Sequence, residues 1–140
     1  MAAERPAYVL DSFALLAYFQ GETGEPIVQS LLAGAQEGTR TVYLSLINLG
    51  EVLYIVEREQ GLVAAQRTLA AIDQLPIQIV PASRANVLAA AHLKAAYPIA
   101  YADAFAVAAA QEHAATLVTG DAEFEPVTKG GVVQVLWLPR

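Results

Sequence analysis

The chain reads as an α/β domain built on a mostly parallel central sheet. Short strand-like runs alternate with helix-like stretches along almost its whole length, the pattern that parallel sheets with crossover helices produce. Hydrophobic residues make up 56% of the 140 residues and charged residues only 16%, which suits a packed core and argues against disorder. Isolated carboxylates follow predicted strands, where open parallel sheets place their binding sites.

Ala7 to Leu10 read as a short buried strand, and Ser12 to Gln20 as a helix capped by Asp11 or Ser12. Glu25 to Gln36 carry apolar residues at Ile27, Val28, Leu31 and Leu32, a helical spacing closed by Gly38. Val42 to Leu44 form a strand. Ser45 can then cap a long helix to about Gln60, which Gly61 ends. Leu62 to Leu75 form a helix stopped by Pro76, and Ile77 to Val80 a strand before Pro81. Ser83 can cap a helix over Arg84 to Ala96, terminated by Pro98. Ala102 to Ala114 form an alanine-rich helix and Thr116 to Thr119 a strand. The turn Lys129-Gly130-Gly131 precedes a last strand, Val132 to Leu138. No repeat or linker divides the chain, so residues 1–140 are expected to form one domain.

Composition narrows the function classes. No uninterrupted apolar run approaches the roughly 18–20 residues of a membrane span. The longest are broken by Asp103 and by Ser45, Asn48, Gly50 and Glu51. The N-terminal stretch carries Glu4 and Pro6 and lacks the basic start and apolar core of a signal peptide. A cytoplasmic protein with no membrane partner is expected. The absence of cysteine excludes disulfides, thiolate chemistry and thiolate zinc sites. His92 and His113 lack ligand-spaced neighbours and read as ordinary surface or half-buried histidines. The net charge of −6 opposes a metal-free nucleic-acid binder. The apolar surplus predicts exposed apolar surface, and so a subunit or partner interface.

Four carboxylates, Asp11, Glu51, Asp103 and Asp121, sit at the edge of or inside apolar segments: YVLDSFALLAYF, LINLGEVLYIV, IAYADAFAVAAA and TLVTGDAEF. A bare carboxylate is costly there unless hydrogen-bonded or bound to a cation. Each has a plain structural reading as well. Asp11 can cap its helix, Asp103 can favour a helix N-terminus, and Asp121 can serve a turn. Glu51 can pair with Arg84 or Lys94. Together they form a candidate acidic cluster. Carboxylate oxygens are hard ligands and select Mg²⁺ or Mn²⁺ over zinc or copper. Such a site activates water and neutralises phosphate charge, which makes a phosphodiester the natural substrate. Neutralising these four charges leaves the rest of the chain near balance. Glu22, Glu25, Glu37, Glu57, Glu59, Asp73 and Glu112 stand in polar stretches and read as solvated surface. No Gly-x-Gly-x-x-Gly, Walker-type or Gly-x-Ser-x-Gly motif is present, nor a basic stripe for RNA.

From Tyr8 to about Trp137 the chain resembles the PIN domain family, in particular the VapC-type toxins of type II toxin–antitoxin pairs. The resemblance rests on four blocks in order: VLDSFALLAYF, SLINLGEVLY, YADAFAVAAA and LVTGDAEF. It implies a three-layer α/β/α fold and RNA cleavage dependent on Mg²⁺ or Mn²⁺. Carried over by position, Asp11, Glu51, Asp103 and Asp121 are the catalytic and metal-binding acids. Asp11 and Asp103 are the foremost direct ligands, with Ser12 and Thr119 as supporting polar groups. Glu123 or Glu125 can assist or replace Asp121. The resemblance also implies a homodimer, a cognate antitoxin and an RNA substrate. Two alternatives are a receiver-like signalling module and a PIN-like interaction protein without activity. A receiver needs paired acids after its first strand and a phospho-accepting aspartate after its middle strand. Here Asp11 is followed by Ser12 and Phe13, and Val80 by Pro81.

Overall fold

The computed structural model describes residues 5–140, so the reading of Glu4 lies outside the described residues. Five strands are formed by Ala7–Leu10 (β1), Thr41–Ser45 (β2), Gln78–Val80 (β3), Thr116–Thr119 (β4) and Val135–Trp137 (β5). All neighbouring strands are parallel, in the order β3-β2-β1-β4-β5. A receiver module has the doubly wound order 2-1-3-4-5. The observed order therefore removes the receiver-like alternative.

Among the described residues seven helices connect the strands: α1 (Ser12–Gln20), α2 (Glu25–Glu37), α3 (Leu46–Gln60), α4 (Leu62–Asp73), α5 (Arg84–Ala96), α6 (Tyr101–Glu112) and α7 (Glu125–Lys129). Successive strand residues point to opposite sheet faces, so each strand feeds two cores. Val9 and Leu117 pack with Ala90 and Leu93 of α5 and Phe105 and Val107 of α6. Leu10, Val42, Leu44 and Val118 pack with Leu15 of α1, Val28 and Leu31 of α2, and Val52 of α3. The result is three layers, α/β/α. α6 is buried along Asp103 to Ala110, which explains its near-absence of polar residues: it has no wide solvent face to cover. Among the described residues, no helix is long and apolar enough to cross a membrane.

Capping follows the sequence reading closely. Asp11, not Ser12, caps α1, Ser45 caps α3 through the Ile47 N–H, and Ser83 caps α5 through the Asn86 N–H. Several ends differ from expectation for identifiable reasons. α4 stops at Asp73 because the Gln74 and Leu75 N–H groups bond three residues back, tightening the chain into a turn before Pro76. α6 begins at Tyr101 and ends at Glu112, with Ala114 left-handed at φ 49°. β5 starts only at Val135 because the Val132 N–H is already given to the Val127 carbonyl. The short helical turn Ala122–Phe124 and α7 were not expected at all. Phe124 is the largest fully buried side chain, and burying a ring of this kind stabilises by about 2–3 kcal/mol. It anchors the turn that follows Asp121.

Candidate metal centre

The site forms where β1 and β4 end side by side. Leu10 pairs with Val118, so the next residues, Asp11 and Thr119, emerge as neighbours. Asp11 is only 2% exposed and Thr119 wholly buried. Asp11 Oδ1 accepts the Ala14 N–H at 2.8 Å, and its Oδ2 accepts the Thr119 hydroxyl at 2.5 Å. Thr119 Oγ1 in turn accepts the Asp121 N–H at 3.0 Å. One hydroxyl thus ties the carboxylate after β1 to the turn after β4. Asp121 accepts the Glu123 N–H at 2.9 Å, capping the short Ala122–Phe124 turn. The turn role expected of Asp121 is real, and it carries Glu123 into the site.

α3 delivers Glu51 from its second turn and α6 delivers Asp103 from its first. Asp11, Ser12, Glu51, Asp103, Asp121 and Glu123 line one cleft of about 260 Å³, walled on its apolar side by Phe13, Leu16 and Ile55. All four expected acids therefore meet, with a fifth, Glu123, that the sequence left open against Glu125. Glu125 does not line the cleft. The most tightly grouped ligand oxygens belong to Asp103, Asp121 and Glu123, which lie within 4.8 Å of one another. Asp11 and Glu51 border that group. Among the described residues, Glu51 forms no ion pair with Arg84 or Lys94, so that structural reading fails. Asp103 does lie in the first turn of α6, where the helix dipole favours a carboxylate, but it makes no cap: α6 has Ala100 at its N-cap and no side-chain cap. Ser12 lies beside the acids, its hydroxyl donating to the Asn48 carbonyl at 3.4 Å.

The electrostatics are those of crowded acids without a counter-charge. Among the described residues, no Lys, Arg or His lines the cleft. Burial pushes the Asp11 carboxyl up to about 7, against the hydrogen bonds from Thr119 and Ala14, with Asp103 and Asp121 adding repulsion. Burial likewise pushes Asp103 up to about 7, reinforced by Asp121, Glu51 and Glu123. A divalent cation would replace both protons and offset the repulsion. The donor set consists of carboxylate and hydroxyl oxygens, which fits Mg²⁺ or Mn²⁺. Gly120 helps shape the site, because a Cβ there would come within 2.6 Å of Phe13 Cζ.

Other features stand apart from this chemistry. A separate cavity of about 840 Å³ opens at the opposite, N-terminal edge of β4 and β5, and no ionisable side chain among the described residues lines it. His113 stacks on Tyr43 with ring centroids 4.0 Å apart, and His92 is exposed; neither lines the cleft.

The comparisons with known proteins agree with this fold. The PIN domain profile matches residues 8–130. No curated protein matches the sequence. Among solved structures, VapBC2 from Rickettsia felis, bound to a promoter DNA fragment, is similar with a TM-score of 0.72 at 19% identity, covering 95% of this chain and 99% of that one. DNA-bound VapBC from Salmonella typhimurium gives 0.70 at 14% identity, covering 94% and 97%. VapC20 from Mycobacterium tuberculosis, a sarcin-ricin loop cleaving toxin, gives 0.69 at 19% identity, covering 94% and 99%. At these identities the structural likeness carries the fold alone.

Proposed function

The chain belongs to the PIN domain family, and we propose that it is a divalent-metal-dependent endoribonuclease, the toxin of a VapBC-type pair. The observation that carries this reading is the convergence of five carboxylates in one cleft that holds no basic group. Similar solved structures are VapBC complexes and, in one case, a toxin that cleaves the sarcin-ricin loop, which supports RNA as substrate and an antitoxin as partner. Leu46, Tyr54, Leu62, Val63 and Leu88 are exposed apolar side chains, which supports a homodimer or antitoxin interface. A cytoplasmic location fits such a role.

In this reading Asp103, Asp121 and Glu123 would hold Mg²⁺ or Mn²⁺, with Asp11 and Glu51 completing the acidic wall directly or through water. Each Asp11 oxygen accepts one hydrogen bond, and a carboxylate oxygen has a second lone pair left for a cation. A bound ion supplies Lewis acidity, lowering the pKa of water and neutralising the phosphate. The protein's own part is positional. Thr119 fixes the Asp11 rotamer and the Asp121 backbone together. Phe13, Leu16 and Ile55 restrict water on one side of the cleft. Asp11 and Asp103 would give up their protons to make room for a cation.

The test is RNA cleavage in Mg²⁺ or Mn²⁺ by Asp11→Asn and Asp103→Asn, with folding checked by circular dichroism. Both are expected to lose cleavage while staying folded. Full cleavage by both removes the assignment. A folded wild-type chain that leaves RNA intact in either metal would instead favour the inactive interaction protein.

A further inference from the structure

Asn48 is fully buried in the first turn of α3, three residues before Glu51 and so on the same side of the helix. Its Nδ2 donates to Ser12 Oγ at 3.3 Å and to the Ala102 carbonyl at 3.2 Å. Ser12 directly follows Asp11, and Ala102 directly precedes Asp103. One amide therefore bridges the Ser12 hydroxyl and the Ala102 backbone carbonyl, each next to a buried acid, across 36 and 54 residues of sequence. The Ser12 hydroxyl returns a bond to the Asn48 backbone carbonyl, closing a small ring between α1 and α3.

The orientation of the amide is fixed, because the Ala102 carbonyl can only accept. That leaves Oδ1 buried with no partner among the described residues. The unpartnered buried carbonyl costs about as much stability as the two donated hydrogen bonds return, so an aliphatic side chain of the same branched shape would be close to neutral. Stability alone therefore does not explain an asparagine here. What an aliphatic residue cannot provide is a two-pronged donor. Sites of this chemistry tolerate errors of only about 0.5 Å in their ligands. The N-termini of α1 and α6 carry Asp11 and Asp103, and Asn48 is the side chain that hydrogen-bonds to both segments.

The geometry points to Asn48 as a positioning residue: by clamping Ser12 to Ala102 it sets the spacing of Asp11 and Asp103, and through it the affinity of the cleft for a divalent cation. Asn48 does not line the cleft and acts only through its neighbours. This inference rests on the metal-site reading above.

The experiment titrates Mn²⁺ by calorimetry into the wild type, Asn48→Leu, Asn48→Ala and Val52→Ala, and records unfolding temperature in EDTA for each. Val52 is a fully buried neighbour on α3 with no polar role, so its truncation reports simple loosening. Asn48→Leu and Asn48→Ala are expected to weaken Mn²⁺ binding by about 10–100-fold, the range for outer-shell residues of metal sites. Asn48→Leu is expected to keep or exceed the wild-type unfolding temperature, and Val52→Ala to lose stability yet keep its Mn²⁺ affinity. Asn48→Ala covers the case in which leucine does not fold. Wild-type affinity in either folded Asn48 variant overturns the inference, as does equal weakening in Val52→Ala. A wild-type chain that binds no Mn²⁺ instead brings down the metal reading on which it rests.

Discussion

Asp11→Asn is expected to stabilise the metal-free protein at alkaline pH, relative to the wild type, while abolishing its response to metal. Folded Asp11 keeps its proton until about pH 7, whereas the unfolded chain releases it near 3.8. Between those values the folded state holds the extra proton, so wild-type stability falls as pH rises through that window and levels off above it. Asparagine does not titrate. Working the linkage between pH 5 and pH 8 gives a relative gain for the variant of roughly 2–3 kcal/mol. Against this, the amide can accept only one of the two hydrogen bonds that Asp11 accepts now, at a cost of about 1–3 kcal/mol that is the same at both pH values. The decisive quantity is therefore the slope. At about 2–4 °C per kcal/mol for a chain of this size, the unfolding-temperature gap should move in the variant's favour by about 5–10 °C from pH 5 to pH 8 in EDTA. Differential scanning fluorimetry at four pH values measures it. At Mn²⁺ a hundredfold above its Kd, the wild type should regain about 2.7 kcal/mol and the variant nearly none. A gap that stays constant or moves the other way with pH would refute the buried-acid reasoning.

Two further outcomes test the site piece by piece. Glu123→Gln should weaken Mn²⁺ binding by about tenfold or more, as removal of a grouped ligand oxygen requires, while Glu125→Gln leaves it unchanged; calorimetry that finds the two alike would remove Glu123 from the site. Gly120→Ala forces its Cβ against the Phe13 ring and should cost about 1–3 kcal/mol in denaturant unfolding. Adding Phe13→Ala should relieve that cost, and simple additivity of the two substitutions would show that the ring is not what excludes the side chain.

Much of this was legible from the residues because the signals are local. Asp11, Ser45 and Ser83 announce their helices through capping chemistry, and Gly38 closes its helix in the left-handed region. The four acids stand out because each is a charge set in an apolar run. What escaped depends on contacts distant in sequence or on short turns. Residues 122–129 carry Pro126 and too few residues for a helical period to be read, so the turn and α7 remained hidden. Glu123 stands in the sequence only as one of two candidates beside Asp121, and nothing there separates it from Glu125. It enters the cleft only because the Asp121 side chain winds that turn and Phe124 pins it. Asn48 reads in sequence as a mere interruption of an apolar helix. Its two acceptors come from parts of the chain that sequence does not place together.

The acids converge because of strand order. β1 is flanked by β2 on one side and β4 on the other, so the chain leaves β1 toward one sheet edge and returns later to its other side. Open parallel sheets form their crevice at such a switch. Asp11 leaves β1 and Thr119 ends β4, and their hydrogen bond closes a separation of 108 residues. A site assembled this way exists only in the folded chain, so whatever binds it binds the native state alone and stabilises it. The same assembly costs stability without a ligand, since five carboxylates share one cleft with no basic neighbour among the described residues. Protonation of Asp11 and Asp103 relieves part of that cost near neutral pH. A cation must compete with those protons. Its affinity should therefore climb as pH rises toward about 7 and flatten above it, so that one crowded geometry sets both the instability of the empty site and the pH at which it fills.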